Sequence, residues 1–191
     1  MRIATYNVDA EDMLERAFAY LVSHGLENVT MRRLCNDTGL ALGSMYYWFK
    51  NKDELVIEVA VYGMKKVFDE IFNKVHETMH DLNTFFSHFI DAAGEYKNEL
   101  RFIYQIAASP VYGDIIRMGN KHMDFIYSRC IQKLSELMNC SENALRPLVY
   151  LFTEVVFDYV IWDNSEKFRV QLEFIYSVLK DAAIKSDASA V

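Results

Sequence analysis

Residues that interrupt regular backbone are scarce in this chain, and their scarcity limits the folds open to it. Two prolines, Pro110 and Pro147, and seven glycines occur in 191 residues. Sheet proteins need frequent turns, and turns are built mainly from glycine and proline. Apolar residues instead recur at helical spacing from the start, as in Met13, Leu14, Ala17, Phe18, Leu21 and Val22. The sequence therefore predicts an all-α protein.

Capping residues divide the N-terminal part into short helices. Thr30 is placed to cap a second helix that ends at Gly39, because threonine favours the N-cap and glycine the C-terminal end. A third short helix is predicted over about residues 42–47. A short helix, a turn at glycine and a second short helix form the DNA-reading helix-turn-helix, whose second helix enters the major groove. Residues 1–52 are predicted to form this DNA-binding head.

A long fourth helix is predicted to join the head to a helical body. Asn51 is placed to cap it, with Glu54 as the capping-box partner, and it runs to about His80. The breaks between apolar segments then predict helices near 82–95, 98–108, 119–138, 142–163 and 166–185. Residues 53–191 are predicted to form this helical body, and the apolar and aromatic patterns described below assign it to dimerisation and ligand binding.

The cysteines and the apolar segments indicate the cellular location of the protein. The three cysteines, Cys35, Cys130 and Cys140, are an odd number without CxxC spacing, which favours free thiols over a disulfide framework or zinc cluster. The first residues contain no apolar run of signal-peptide type, and no stretch is apolar enough to span a membrane. These features predict a cytoplasmic protein without a cofactor.

The charges are distributed unevenly. Residues 1–52 carry six basic and six acidic side chains, so the whole net charge of −7 lies beyond them. Four of the six N-terminal cations fall between residues 32 and 52. Any surface that faces phosphates is therefore expected there.

Basic residues stand where helix electrostatics disfavour them. Arg32 and Arg33 fall in the first turn of the second helix, and Lys52 opens the fourth. Cations oppose the dipole at a helix N-terminus, whereas a helix N-terminus with a cation suits a phosphate. We therefore predict that these residues bind the DNA backbone. The alternative is that the arginines pair with acidic neighbours, namely Glu11, Asp12 and Asp37.

Helical angles assign the faces of the third helix. With Met45 in the core, the residues on its side are Ala41, Trp48 and Phe49. The outward residues are then Gly43, Ser44, Tyr46 and Tyr47. Exposed tyrosines suit phosphates, base edges and thymine methyl groups. The alternative for Tyr46 is packing against the first helix as a semi-buried tyrosine.

The segment from Thr30 to Leu55 resembles the signature of the TetR (tetracycline repressor) family, with residues 9–55 in register. Its most specific part is the Tyr-x-x-Phe-x-x-Lys-x-x-Leu pattern that begins at Tyr46. Ala41 departs from the family's usual capping Ser or Thr, and Leu42 stands where polar or basic residues are common. The resemblance implies a homodimer whose paired third helices read an inverted repeat. It implies DNA contacts at Thr30, Ser44, Tyr46, Tyr47 and Lys52, with Leu42 and Gly43 close to bases.

The last two helices are predicted to form the homodimer interface. The helix near 142–163 is apolar nearly all round, and its polar stripe is Arg146, Tyr150, Glu154 and Asp158. A helix with so narrow a polar face must be buried on two sides, by its own core and by a partner. The helix near 166–185 also carries apolar residues on more than one face, and the resemblance implies the same interface.

Aromatic residues of the body predict a site for a small lipophilic effector. An apolar pocket with a few polar groups is how small ligands are bound. The predicted ligand-binding residues are Phe89, Tyr96, Phe102, Tyr104, His122 and Phe125. The alternative is ordinary core packing, since aromatic residues at helical spacing are commonly buried. The resemblance implies that such an effector releases the DNA from a repressor.

Two further interpretations remain open. His76-Glu77-Thr78-Met79-His80 matches the HExxH motif of zinc proteases, but a protease of that class also needs a third ligand and a strand to present substrate. We therefore predict no enzyme, with a regulatory metal at His76 and His80 as the alternative. The other interpretation is a helical interaction protein that has lost DNA reading or ligand sensing, which Ala41 and Leu42 leave open.

Overall fold

Helices make up nearly all of the chain. The structure, a computed structural model, describes residues 8–27, 29–76, 82–114 and 121–188, and no strand occurs among them. The helices are α1 (Val8–His24), α2 (Met31–Thr38), α3 (Leu42–Trp48), α4 (Lys52–His76), α5 (Leu82–Glu95), α6 (Lys97–Ala107), α7 (Lys121–Met138), α8 (Glu142–Trp162) and α9 (Ser165–Ala188). The predicted all-α fold, with three short helices before a long one, is confirmed.

The helices α5 to α9 begin and end within three residues of the predicted positions. The predicted end of the fourth helix, His80, lies outside the described residues, which follow α4 as far as His76. Among the helices that the structure describes, none is both long and apolar enough to cross a membrane.

The chain divides into two compact units. One unit comprises residues 1–67 and 98–119, and the other comprises residues 68–97 and 120–191. The first unit contains the three short helices, the first part of α4, and α6 with the turn after it. The functional boundary at residue 52 stays a prediction, because packing units and functional domains are different properties.

The first unit is built around fully buried apolar side chains. Helix α2 packs against both α1 and α3. The core of the first unit includes Leu14, Leu21, Leu34, Met45 and Leu55, each less than 2% exposed. Burying such side chains contributes about 1.5–3 kcal/mol each before the entropy of folding is subtracted. This core fixes the backbone of the short helices.

An aromatic cluster joins α1, α4 and α6 within the first unit. The Phe18 ring meets Phe102 edge to face at 5.9 Å and Tyr62 at 6.4 Å between centroids. Gly63 lets α1 approach α4, because a Cβ built there would lie 2.1 Å from the Phe18 ring. The absent side chain is therefore a packing requirement, and Phe102, only 3% exposed, belongs to this core.

We expect Gly63→Ala to destabilise the protein by about 1–3 kcal/mol, because the added methyl group overpacks the Phe18 contact. Gly94 is the matched control: it lies inside α5, and an added Cβ there meets no atom within 4 Å. Gly94→Ala should stabilise by about 0.5–1 kcal/mol through helix propensity. Urea unfolding measures both variants, and equal effects would contradict the packing at Gly63.

The second unit is centred on α7, α8 and α9, with α8 packing against both neighbours. Fully buried residues here include Ile71, Ile131, Leu145, Ile175 and Leu179. The turn between α8 and α9 is held at Asp163, whose left-handed backbone (φ 56°) ends α8 and whose carboxylate pairs with Lys97. The Lys97 ammonium also lies 4.7 Å from the Tyr159 ring centroid, and that ring stacks on Phe168.

Candidate nucleic-acid interface

Helix α2 begins at a side-chain cap and carries cations in its first turn. Thr30 has extended backbone angles, and its hydroxyl accepts from the Arg33 backbone N–H at 3.2 Å. The predicted cap and the helix end at Gly39, with φ 73°, are confirmed. Thr30, Arg32 and Arg33 are exposed, and the first turn contains no acidic residue. Nothing acidic in this turn offsets the two cations.

The two arginines differ in their partners. Arg33 Nε lies 3.7 Å from Asp37 Oδ2, one helical turn away. Arg33 therefore pairs with an acidic neighbour, as the alternative to phosphate binding predicts. Asp12 pairs with Arg16 instead. No acidic side chain in the described part of the chain lies within 4 Å of Arg32. Exposed pairs contribute about 0–1 kcal/mol, so Arg33 can exchange Asp37 for a phosphate at little cost.

Asp37 also fixes α2 against α1. The buried Tyr20 hydroxyl donates to Asp37 Oδ2 at 2.9 Å. Burial, with the hydrogen bond to Asp37, raises the pKa of Tyr20. The Tyr20 ring stacks on His24 with 4.2 Å between centroids. These contacts set the orientation of the helix that carries the arginines.

Helix α3 presents its polar and aromatic residues outward. Met45 is completely buried and Phe49 is 3% exposed. Tyr47 is 82% exposed and Tyr46 is 52% exposed, so Tyr46 is not the semi-buried core residue of the alternative. Ser44 and Gly43 are exposed and Leu42 is half-buried. A Cβ built on Gly43 would meet no atom within 4 Å, so this side of the helix is open to a ligand.

Two residues at the ends of α3 are more exposed than predicted. Ala41 and Trp48 were expected on the core side, yet Ala41 is exposed and Trp48 is 36% exposed. Ala41 precedes the helix, with ψ 123°, and Phe49 leaves it with an extended backbone that turns its ring inward. Helical angles therefore do not apply to Ala41 and Phe49, whereas Trp48 is the last residue of α3 and is exposed although helical angles place it on the side of Met45. The Trp48 ring instead meets Tyr47 edge to face at 5.4 Å, which extends the outward aromatic surface.

The start of α4 is capped and tied to the head. Asn51 Oδ1 accepts from the Glu54 N–H at 2.9 Å, as predicted. The Glu54 carboxylate accepts from the Lys50 N–H at 2.7 Å, one residue earlier than a standard capping box requires. The half-buried Lys52 donates to the Leu26 carbonyl at 3.3 Å. An ammonium has three donors, so Lys52 keeps hydrogen-bonding capacity for a phosphate.

Removing the cap at Thr30 and adding one at Ala41 should have opposite effects. Thr30→Ala is expected to cost about 1 kcal/mol, and Ala41→Ser to gain about 0.5–1 kcal/mol, because Ala41 provides no side-chain cap bond. Chemical denaturation of both variants measures this difference. The same sign for the two changes would contradict the capping geometry.

The predicted ligand-binding residues fall in both units. Phe89 meets Phe152 edge to face at 4.6 Å in the second unit. Tyr96, in the same unit, lies under the Lys74 ammonium, and burial, with a hydrogen bond to Glu70, raises its pKa. The half-buried Tyr104 belongs to the first unit with Phe102. His122 and Phe125 lie in α7, but the structure does not describe their side chains.

The metal alternative falls on residues that the structure does not describe. The His76 side chain and the whole of His80 lie outside the described residues. Within the described residues, no group of three or more His, Cys, Asp or Glu side chains is arranged to hold a metal ion. The regulatory-metal interpretation stays a prediction.

Two features of the first unit are not predicted from the sequence. Tyr112, in the turn after α6, donates to the Asp53 carboxylate at 2.8 Å, and Trp48 is exposed. Tyr112 stands in no motif and Trp48 occupies a free position of the signature, and no local pattern indicates a contact across 59 residues. Gly63 did carry a signal, because a glycine inside a long helix often marks a close approach.

Comparison with known proteins agrees with this geometry. Residues 13–59 match the family model described as bacterial regulatory proteins of the tetR family.

The chain is similar in structure to a protein provisionally described as a tetR family transcription regulator from Shewanella sp. PV-4. That match has 14% identity and a TM-score of 0.59, and covers 90% of this chain and 98% of the other. A second similar structure, provisionally described as a transcriptional regulator from Pseudomonas aeruginosa PAO1, has 15% identity and a TM-score of 0.61, covering 96% and 95%. None of the curated proteins matches in sequence. The family model confirms the predicted TetR resemblance, and the two structures confirm the fold.

Proposed function

We propose, from the premise that the chain carries a TetR-family regulatory domain in residues 13–59, that it binds an inverted repeat in duplex DNA as a homodimer. The observation that carries this proposal is the joint exposure of Arg32, Ser44 and Tyr47 on one small head, with Tyr47 82% exposed. Tyr46, Tyr47 and Trp48 together form an exposed aromatic patch, and such a patch favours an intermolecular role.

The proposed contacts divide by chemistry. Arg32, Arg33 and Lys52 supply charge for phosphates, and the Thr30 hydroxyl adds a polar group at the start of α2. Phosphate contacts set affinity and its salt dependence. The residues proposed to lie in the major groove are Leu42, Gly43, Ser44, Tyr46 and Tyr47. Sequence preference is expected from these α3 residues, because base edges are read in the groove.

An apolar surface on α8 and α9 supports the homodimer. In the single chain, Trp162 is 73% exposed, Phe174 63% and Val170 55%. Tyr150 and Leu151, on α8, are each 43% exposed. Apolar side chains clustered on two adjacent helices are typical of a surface that a partner covers. We propose that a second copy covers it, as the sequence predicts for these helices.

Repression and effector release complete the proposal. The rings of the second unit, including Phe89 and Tyr96, are suited to an apolar ligand with one or two polar groups. Tyr104, His122 and Phe125 belong to the same proposed set. Phe102 has a packing role against Phe18, and its part in ligand binding remains a proposal. Such a regulator would act in the cytoplasm, where the chromosome lies.

Selection from a random duplex library tests the proposal. The full-length protein should enrich an inverted repeat whose half-sites are about one helical turn, roughly 10 base pairs, or more apart. Binding of the enriched duplex should weaken steeply with salt, by about 0.9 logarithmic units per phosphate contact for each tenfold rise. Absence of enrichment would favour the interaction-protein interpretation instead.

A further inference from the structure

The turn after α6 contacts the start of α4 within the first unit. The Tyr112 hydroxyl donates to Asp53 Oδ1 at 2.8 Å, and Asp53 lies in the first turn of α4. The turn is ordered by Ser109, whose hydroxyl accepts from the Val111 N–H at 3.2 Å and whose carbonyl accepts from the Gly113 N–H at 2.8 Å. Tyr112 therefore projects from a backbone that its own hydrogen bonds hold in place.

Adjacent residues of α4 are held by two different segments. Lys52 donates to the Leu26 carbonyl, in the connection between α1 and α2. Asp53 accepts from Tyr112, in the turn after α6. The two contacts therefore tie the first turn of α4, which also carries the Asn51 cap and the buried Leu55, to two separate segments of the first unit.

The chemistry of the pair suits a stable contact at physiological pH. Burial, with the hydrogen bond to Asp53 and its charge, raises the pKa of Tyr112 to about 12. The phenol therefore stays protonated and able to donate. Because the folded-state pKa lies above the ordinary value of 10, the protein is expected to lose stability as the pH rises from 10 through about 12, where the buried phenol ionises beside Asp53.

We propose that Tyr112 is a positioning residue for DNA binding: its hydrogen bond to Asp53 holds the first turn of α4, and with it Lys52, in the orientation that meets phosphate. The inference rests on the proposed function. A surface ordered before binding loses less conformational freedom on binding, so breaking the contact weakens the complex. The released Asp53 carboxylate would also be free to approach the phosphate backbone and repel it.

A double-mutant cycle in full-length protein tests the proposal. Tyr112→Phe should weaken binding of the library-selected duplex about five- to tenfold, which lies within the range expected for loss of one typical hydrogen bond. In an Asp53→Ala background the same change should have no further effect, since the acceptor is already absent. Tyr127→Phe is the matched control, because its hydroxyl meets Thr153 in the second unit. Additive effects, or no effect of Tyr112→Phe, would overturn the proposal.

Hydrogen exchange of the DNA-free protein adds a readout that does not depend on binding. Tyr112→Phe should speed amide exchange in both 52–56 and 109–114, with unchanged exchange in α8, and Tyr127→Phe should leave both segments unchanged. Unchanged exchange in 52–56 would overturn the positioning role even if affinity fell. If the wild-type protein bound no duplex, the proposed function would fail. If it bound and Tyr112→Phe bound equally well, the role of Tyr112 alone would fail.

Discussion

Replacing Phe174 by glutamate is expected to convert the proposed homodimer to a monomer. Phe174 is 63% exposed in the single chain and lies one turn from Val170, which is 55% exposed. A two-fold interface would bury both copies of the new carboxylate among apolar side chains without a partner. Burying an unpaired charge costs several kcal/mol, so the dissociation constant should rise by roughly two orders of magnitude or more.

Sedimentation at micromolar concentration measures this change. Ser128→Glu is the control, because it adds the same charge to an exposed position on α7. The Phe174→Glu monomer should also lose affinity for the selected duplex, since one head reaches only one half-site. A variant that stayed dimeric would show that α9 is not the interface.

Changes at Tyr47 and Lys52 should weaken DNA binding in two distinguishable ways. Tyr47→Ala is expected to lower affinity for the selected duplex about 10- to 100-fold, as loss of a contact worth about 1–3 kcal/mol does, with less effect on unrelated DNA. Lys52→Gln keeps a donor for the Leu26 carbonyl but removes the charge. It should weaken binding to all duplexes alike and reduce the salt slope by about 1.

Matched variants separate these effects from damage to the fold. Lys65 is an exposed lysine of the same helix, α4, so Lys65→Gln removes the same charge away from the head's proposed DNA contacts. Tyr47→Phe retains the ring and tests the hydroxyl alone. Anisotropy titrations at several salt concentrations measure all four variants. Equal losses for Lys52→Gln and Lys65→Gln would indicate a diffuse electrostatic effect rather than a contact.

Local signals explain how much of the head could be predicted from sequence. Thr30 and Asn51 accept hydrogen bonds from backbone N–H groups three residues ahead. A helix cap therefore depends only on residues that are close in sequence. Gly39 takes the left-handed conformation that glycine tolerates best. Met45 and Tyr47 lie on the faces that helical angles assign them, because they are inside α3.

The features that the sequence does not predict depend mainly on tertiary packing. Trp48, the last residue of α3, lies on the side of Met45 by helical angles yet is 36% exposed, so the extent of the core beside it is not contained in the helical pattern. Phe18 meets Phe102 on one side and approaches Gly63 on the other, and residue type alone indicates neither contact; the part of Phe102 in ligand binding stays a prediction. The bond between Tyr112 and Asp53 depends on a turn whose course follows from tertiary packing. Such pairings depend on the folded chain and leave no periodic pattern.

Amide hydrogen exchange of the full-length protein, measured with and without the library-selected duplex, is the most direct test that residues 30–52 form the DNA-binding surface. The account predicts that the duplex slows exchange in α2, α3 and the first turn of α4, and that α8 and α9 exchange as they do in the DNA-free protein. A duplex that bound tightly but protected only α8 and α9, or left residues 30–52 unchanged, would contradict it.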